Sequence, residues 1–192
     1  MSARMTPANT TTRAIVDVTF MEMRHPPATP APHLPAGWSI THEPRPSVAF
    51  YRELYDRVGR DYCWWMRQVL PDAELAGILA EPGRRVFLLR EGKDLRGFFE
   101  LENQPWNIIN LAYFGLFPDA IGHGTGRIFL SNAIEIAWAS RPARVTVNTC
   151  NADHPRALPA YLKAGFEIRN VVREIWDIPD RLGLTIPDRL RA

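Results

Sequence analysis

The chain has 192 residues and a formal net charge of +2, with 46% hydrophobic and 23% charged residues. This length and balance are typical of one globular domain with a buried core, and they exclude a disordered or strongly basic protein. With so small a net charge we expect neither nucleic acid nor an acidic membrane surface as a partner. The sequence has no run of 18 apolar residues and no apolar signal segment, so we expect a cytoplasmic protein that does not span a membrane.

The two cysteines, Cys63 and Cys150, lie far apart in the sequence and form no CxxC motif. This spacing argues against a disulfide framework and against a zinc site. We therefore expect two buried free thiols and no bound metal.

The N-terminal region divides into a strand and a connector. Residues 14–23 (AIVDVTFMEM) are apolar and β-branched and predict a strand, and residues 25–37 contain five prolines and predict an extended connector. We therefore predict an N-terminal arm at 1–36, a domain at 37–178 and a tail at 179–192. The strand of the arm is expected to pair with a sheet edge of its own domain or of a partner, and a homodimer would satisfy the second arrangement.

The apolar periodicity and the turn residues after the connector predict a strand, two helices, three strands, a helix, a strand, a helix and a final strand. These segments are 38–43, 47–59, 72–83, 84–94, 95–103, 107–118, 126–139, 143–150, 154–166 and 166–178. The order predicts an α/β (α+β) fold with one sheet that is partly antiparallel and partly parallel.

Four local signals refine the ends of these elements. Ser47 and Asp72 are placed as N-caps of the first two helices. Pro159 removes a hydrogen bond within its predicted helix, so we expect that helix to be short or bent at its start. The repeated pentapeptide IPDRL, at 178–182 and 186–190, predicts turns packed on the surface.

A glycine-rich loop, IGHGTG at 121–126, lies between a predicted strand and a predicted helix. The first turn of a helix has free N–H groups and a partial positive charge, so this loop predicts phosphate binding; a plain tight turn is the alternative. The spacing does not fit a dinucleotide fingerprint, because Arg127 or Phe129 stands where the third glycine is required. A P-loop is excluded because no Gly-Lys-Ser/Thr tripeptide is present, and the kinase signature is absent as well.

Two motifs resemble the GNAT superfamily of N-acetyltransferases. LFPDAIGHGTG (116–126) is similar to its motif A, with Ile121 where the family usually has Arg or Gln. HPRALPAYLKAGF (154–166) is similar to a later motif, with His154 in place of the usual Asn. The matching positions are Leu116, Pro118, Gly122, Gly124, Gly126, Ala157, Tyr161, Gly165 and Phe166.

The resemblance implies a GNAT-like mixed sheet flanked by helices, with the N-terminal strand as an addition. It implies an acyltransferase that moves an acetyl group from acetyl-CoA to an amine acceptor, by direct attack within a ternary complex. The implied CoA-binding residues are Leu116, Phe117, Gly122, His123, Gly124, Thr125, Gly126, Arg127 and His154. The amide at the end of the strand, at Leu116–Phe117, is expected to polarise the thioester carbonyl.

The same resemblance implies that Tyr161 is the general acid, giving a proton to the leaving thiolate. The general base stays open, because Asn110 stands where some members have Glu; the candidates are Glu100, which we expect to face the cleft or water, His154, and a chain of water molecules. Loss of the base would instead leave a catalytically silent acyl-CoA-binding or regulatory module.

An aromatic cluster in the early helices is the candidate acceptor site. Its rings either enclose a flat or cationic amine or pack as core. The residues are Tyr51, Tyr55, Tyr62, Trp64 and Trp65.

Overall fold

The computed structural model describes residues 10–192, so the first nine residues of the predicted arm lie outside the described part. It contains seven strands and five α-helices among those residues. The strands are β1 (Thr11–Met23), β2 (Trp38–Glu43), β3 (Arg84–Glu91), β4 (Asp94–Gln104), β5 (Ile108–Leu116), β6 (Arg144–Cys150) and β7 (Glu167–Pro179). The helices are α1 (Val48–Gly59), α2 (Met66–Val69), α3 (Asp72–Leu79), α4 (Thr125–Trp138) and α5 (Ala157–Lys163).

All seven strands form one sheet, in the order β2-β3-β4-β5-β6-β1-β7. Only β5 and β6 pair in parallel, and every other neighbouring pair is antiparallel. The predicted mixed sheet is therefore confirmed.

β1 lies inside the sheet and not at an edge. Val18 pairs with Cys150 of β6 on one side and with Val172 of β7 on the other, and both ladders are antiparallel. The expectation that this strand adds to a sheet edge is thus wrong, because β7 continues the sheet beyond it. The strand of the predicted arm and the strands of residues 37–178 share one sheet.

Of the three sequence signals that predicted helix ends, two are confirmed by the structure. Ser47 caps α1, since its Oγ accepts a hydrogen bond from the Phe50 N–H at 3.2 Å. Asp72 is not a cap but the first residue of α3, and its carboxylate instead accepts a hydrogen bond from Arg52. The shortened last helix is confirmed: α5 begins at Ala157, so Pro159 occupies the third position, where a backbone N–H has no intrahelical partner.

Helices cover both faces of the sheet. The core on one face joins α1 and α3 to β3 and β4, and the core on the other joins α4 and α5 to the central strands. A third, smaller core lies around β1, where Ile186 and Leu190 of the tail pack against Ala14 and Val16. Both IPDRL copies form the predicted turns, each containing one 3-10 turn.

A β-bulge at Ala112 separates β5 from β6. Leu111 pairs with Leu101 of β4 and Tyr113 pairs with Glu100, so Ala112 has no partner in that ladder. The parallel ladder with β6 ends at the same place, because its last pair is Leu111 with Val147. A bulge bends its strand and changes which face the following side chains point to. Residues 112–116 of β5 therefore diverge from β6, and a cleft opens between the two strands.

Among the described residues, no helix is both long enough and apolar enough to cross a membrane.

Two Gly→Ala substitutions should change the free energy of unfolding in opposite directions, one because of close packing and the other because of helix propensity. A Cβ on Gly97 of β4 would overlap the carbonyl oxygen of Gly115 on β5, so Gly97→Ala should destabilise the protein by about 1–3 kcal/mol. Gly77 on the exposed side of α3 has no atom near its Cβ position, so Gly77→Ala should stabilise it by about 0.5–1 kcal/mol. Urea unfolding of both variants measures these changes, and a stable Gly97→Ala would contradict the close strand approach.

Candidate active site

A cleft of about 700 Å³ occupies the gap between the diverging ends of β5 and β6. Its walls come from both faces of the sheet: Phe114 and Leu130 belong to the core beneath α4, and Tyr55 and Tyr113 belong to the core beneath α1. The cleft therefore passes through the sheet.

The glycine loop forms the rim of the cleft on the α4 side. Gly122 and Gly124 have φ values of +100° and +77°, in the left-handed region that glycine adopts without strain. Gly124 is the N-cap of α4, whose first-turn N–H groups have no intrahelical acceptors. A Cβ at either glycine would point into open space, so the loop leaves room for a ligand close to the backbone.

The structure brings together most, but not all, of the residues predicted to bind CoA. Those that line the cleft are Leu116, Gly122, Gly124, Gly126, Arg127 and His154. Phe117 is fully buried, with the Arg57 guanidinium 3.7 Å from its ring centroid. His123 and Thr125 line a separate cavity of about 460 Å³ with Trp38 and Arg96.

The backbone amide of Phe117 is already used. Its N–H donates to the Arg96 carbonyl at 2.8 Å, so it is not free to polarise a thioester. Residues 113–116 pair with β4 on one side, and the backbone groups of residues 112–116 that face the gap have no β6 partner. Polar main-chain groups at such an edge can pair with an extended ligand as with another strand.

Tyr161 lies on α5 with its ring against the cleft. Its side chain is buried, the residue being 6% exposed, and its ring meets Phe166 edge-on at 5.9 Å between centroids. Burial raises the pKa of the Tyr161 phenol well above its usual value, with a smaller contribution from Asp153. The phenol therefore keeps its proton throughout the physiological range and can act as a donor.

His154 lines the cleft but does not present a free acceptor nitrogen at Nδ1. That atom accepts a hydrogen bond from the Arg156 N–H at 3.1 Å, just before α5 begins. In the neutral ring the proton then lies on Nε2, which is a donor. This geometry favours the helix-capping role over that of general base.

Glu100 faces neither the cleft nor water, contrary to the expectation. It is 0% exposed, because Arg84 and Arg67 both donate to its Oε1, at 2.6 and 3.2 Å, and the Tyr51 hydroxyl donates to its Oε2. All of its hydrogen-bonding capacity is directed inward. An amine in the cleft has no direct approach to it.

Glu102 is a cleft residue that the sequence reasoning missed. It lies two residues beyond Glu100 on the same face of β4, and its side chain is 30% exposed. Arg84 donates to Oε1 at 3.0 Å and the Asn110 amide donates to Oε2 at 3.3 Å. Strand alternation puts both glutamates on one face, but Tyr51 on α1 and Arg67 on α2 cover only Glu100.

The aromatic cluster is partly core and partly cleft wall. Tyr51 is fully buried and bonded to Glu100, so it does not reach the cleft. Trp64 is held in place by Asp153, whose Oδ1 accepts from the indole N–H at 3.1 Å. The predicted aromatic residues that line the cleft are Tyr55, Tyr62, Trp64 and Trp65, joined by Tyr113 and Trp176.

Cys63 and Cys150 are free thiols that also line the cleft. Burial raises the pKa of both, that of Cys150 to about 12, so neither is a thiolate near neutral pH. Within residues 10–192 no three His, Cys, Asp or Glu side chains are grouped so that they could hold a metal ion.

Comparison with known proteins gives one family and a consistent fold. The model of the Acetyltransferase (GNAT) family matches residues 39–166, whereas no relative among curated proteins matches the sequence. The chain is similar to a GCN5-related N-acetyltransferase from Sphaerobacter thermophilus, at 16% identity and a TM-score of 0.58, over 88% of this chain and 54% of that one. It is also similar to one from Kribbella flavida, at 15% identity and a TM-score of 0.57, over 91% and 63%.

A third similar structure is a tandem GNAT protein from the clavulanic acid biosynthesis pathway, at 18% identity and a TM-score of 0.59. The match covers 87% of this chain and 55% of that protein. The chain thus spans between 54% and 63% of the length of these three structures. Identities this low support the fold alone.

The buried phenol of Tyr161 should make stability depend on alkaline pH. Its folded pKa lies above the unfolded value of about 10, so its contribution is complete below that pH and is lost as the pH rises further. Each such tyrosine lowers the free energy of unfolding by about 1.4 kcal/mol per pH unit in that window. Urea unfolding between pH 9 and 11 should give a shallower decline for Tyr161→Phe than for the wild type. Equal slopes would contradict the assigned burial.

Proposed function

Since the chain belongs to the acetyltransferase (GNAT) family, we propose that it is an N-acetyltransferase. It transfers the acetyl group of acetyl-CoA to a primary amine of a small molecule or peptide by direct attack in a ternary complex. The observation that carries this proposal is the cleft that passes through the sheet, with the glycine loop on one side and aromatic rings on the other. Two substrates can then meet inside the protein from opposite faces.

The α4 side fits CoA. The free N–H groups after Gly124 and the positive end of the α4 dipole suit the pyrophosphate, and Arg127 adds a full positive charge on the cleft wall. The unpaired backbone edge at 112–116 suits the amide groups of the pantetheine arm. Open space at the Cβ positions of Gly122 and Gly124 leaves the loop accessible to the phosphates.

The chemistry requires one proton to leave the amine and one to reach the departing sulfur. Tyr161 supplies the second proton, because its phenol lines the cleft and carries a proton that the departing thiolate can accept. For the first proton, Glu100 is inaccessible and His154 Nδ1 is occupied. We therefore assign the amine proton to Glu102 or to solvent, since Glu102 lines the cleft.

Thiol release from acetyl-CoA, measured with a panel of primary amines, tests this function. The wild type should release CoA only when an acceptor is present. Tyr161→Phe should lower kcat about a hundredfold while the Kd for CoA, from calorimetry, stays unchanged, because the phenol acts only as the sulfur leaves. An unchanged kcat would remove Tyr161 from the mechanism. CoA binding without thiol release for any amine would indicate the silent acyl-CoA-binding module.

A matched pair of glycines tests the CoA loop. Gly124 and Gly92 both have positive φ and open space at Cβ, but Gly92 lies in the β3–β4 turn, away from the cleft. Alanine at either position should cost about 1–2 kcal/mol of stability. Only Gly124→Ala should weaken CoA binding, by about tenfold, or about 1.4 kcal/mol, because its methyl group points into the ligand space. Equal CoA affinities in the two variants would refute the assigned loop.

A further inference from the structure

A single guanidinium group stands out on the α1–α2 side of the cleft. Arg67, on α2, lines the cleft with its side chain 12% exposed, and its guanidinium carbon lies 5.4 Å from the centroid of the Tyr113 ring. Building on the proposed function, we propose that the acceptor amine also carries a carboxylate, which pairs with Arg67, and an aromatic or large apolar group. The substrate class is thus that of aromatic or bulky amino acids and close analogues.

The charge of Arg67 is only partly balanced within the protein. Its carboxylate partner among residues 10–192, Glu100, is shared with Arg84, and the Arg84 contact is the shorter, at 2.6 against 3.2 Å. Arg84 has two further carboxylate partners, Glu81 and Glu102, whereas Arg67 has none beyond Glu100 among residues 10–192. The Nε atoms of both arginines are buried without a hydrogen-bond partner in the same part of the chain. A partly buried guanidinium that shares its carboxylate partner with another arginine is stabilised by a further anion, and its planar shape suits a carboxylate.

The acidic groups of the cleft already have partners of their own. Asp153 accepts from Trp64, Thr149 and the Cys150 N–H, and Glu174 accepts from the indole N–H of Trp176 at 2.7 Å. Glu102 is bonded to Arg84 and Asn110 but keeps part of its surface in the cleft. An ammonium end can therefore approach Glu102 while a carboxylate approaches Arg67.

The remaining wall on this side is apolar and aromatic. Trp64 contacts both Tyr55 and Tyr113, with ring centroids 5.2 and 5.1 Å apart, and these rings surround the space next to Arg67. Met66, beside Arg67 on α2, is 43% exposed at the same wall. Such a surface favours an acceptor with a large apolar or aromatic group over a small polar amine.

Calorimetry with CoA present and no acetyl donor tests this proposal without turnover. The probes are two matched pairs, phenylalanine with phenethylamine and tryptophan with tryptamine, which differ only in the carboxylate. The wild type should bind each amino acid at least about tenfold more tightly than its partner, as a charge-assisted bidentate pair predicts. Arg67→Met should reduce this ratio to about one, and Arg67→Lys should retain part of it because the charge remains while the planar fork is lost.

Arg52→Met is the matched control, because its guanidinium also has a buried Nε without a partner among residues 10–192 but bonds Asp72 and the Leu70 carbonyl and does not line the cleft. It should keep the wild-type ratio, and thermal unfolding of each variant reports whether it is folded. The proposal is overturned if neither pair binds, if the wild type does not prefer the amino acids, or if Arg52→Met loses the preference as Arg67→Met does. Thiol release, measured separately, distinguishes a failure of this substrate class from a failure of the proposed acetyltransferase function. If only amines without a carboxylate are acetylated, the substrate class is refuted. If the amino acids bind selectively but are not acetylated, the enzyme function is refuted and the binding site is retained.

Discussion

The early end of the β5–β6 ladder is the constraint on which the rest of the site depends. Only four residue pairs join these parallel strands before the bulge at Ala112 bends β5 away. A sheet interrupted in this way has unpaired backbone groups in its interior, which are costly unless a ligand or water satisfies them. The same opening gives the glycine loop and α5 a shared space. The course of the backbone therefore creates the cleft, and side chains line its walls.

A buried ionic cluster fixes the opposite wall. Glu100, Arg84 and Arg67 connect β4, β3 and α2, and removing one member would leave an uncompensated buried charge, at about 3–5 kcal/mol. The cluster holds the short α2 helix, which is too small to be stable alone, over the sheet. Because Arg67 is both a member of this cluster and part of the cleft wall, the stability of α2 and the chemistry of the acceptor side are coupled.

Local sequence signals predicted the elements well and side-chain environments poorly. The Ser47 cap, the short helix around Pro159, the IPDRL turns and the mixed sheet are all confirmed, since each depends on a few neighbouring residues or on the order of elements. The GNAT resemblance is confirmed by the family match over residues 39–166. The expected exposure of Glu100 is wrong, because the residues that cover it are 16 and 33 positions away.

The sequence by itself determined where the strands and four of the five described α-helices lie, where the glycine loop falls between a strand and a helix, and which family the motifs resemble; it did not predict α2. The tertiary structure alone decided that β1 lies between β6 and β7, that Glu102 and not Glu100 reaches the cleft, and that the Phe117 amide is already bonded. The physical reason is range. Helix caps, turns and periodicity are determined by residues close together in the sequence, whereas strand order, bulges and burial depend on which distant segments pack together.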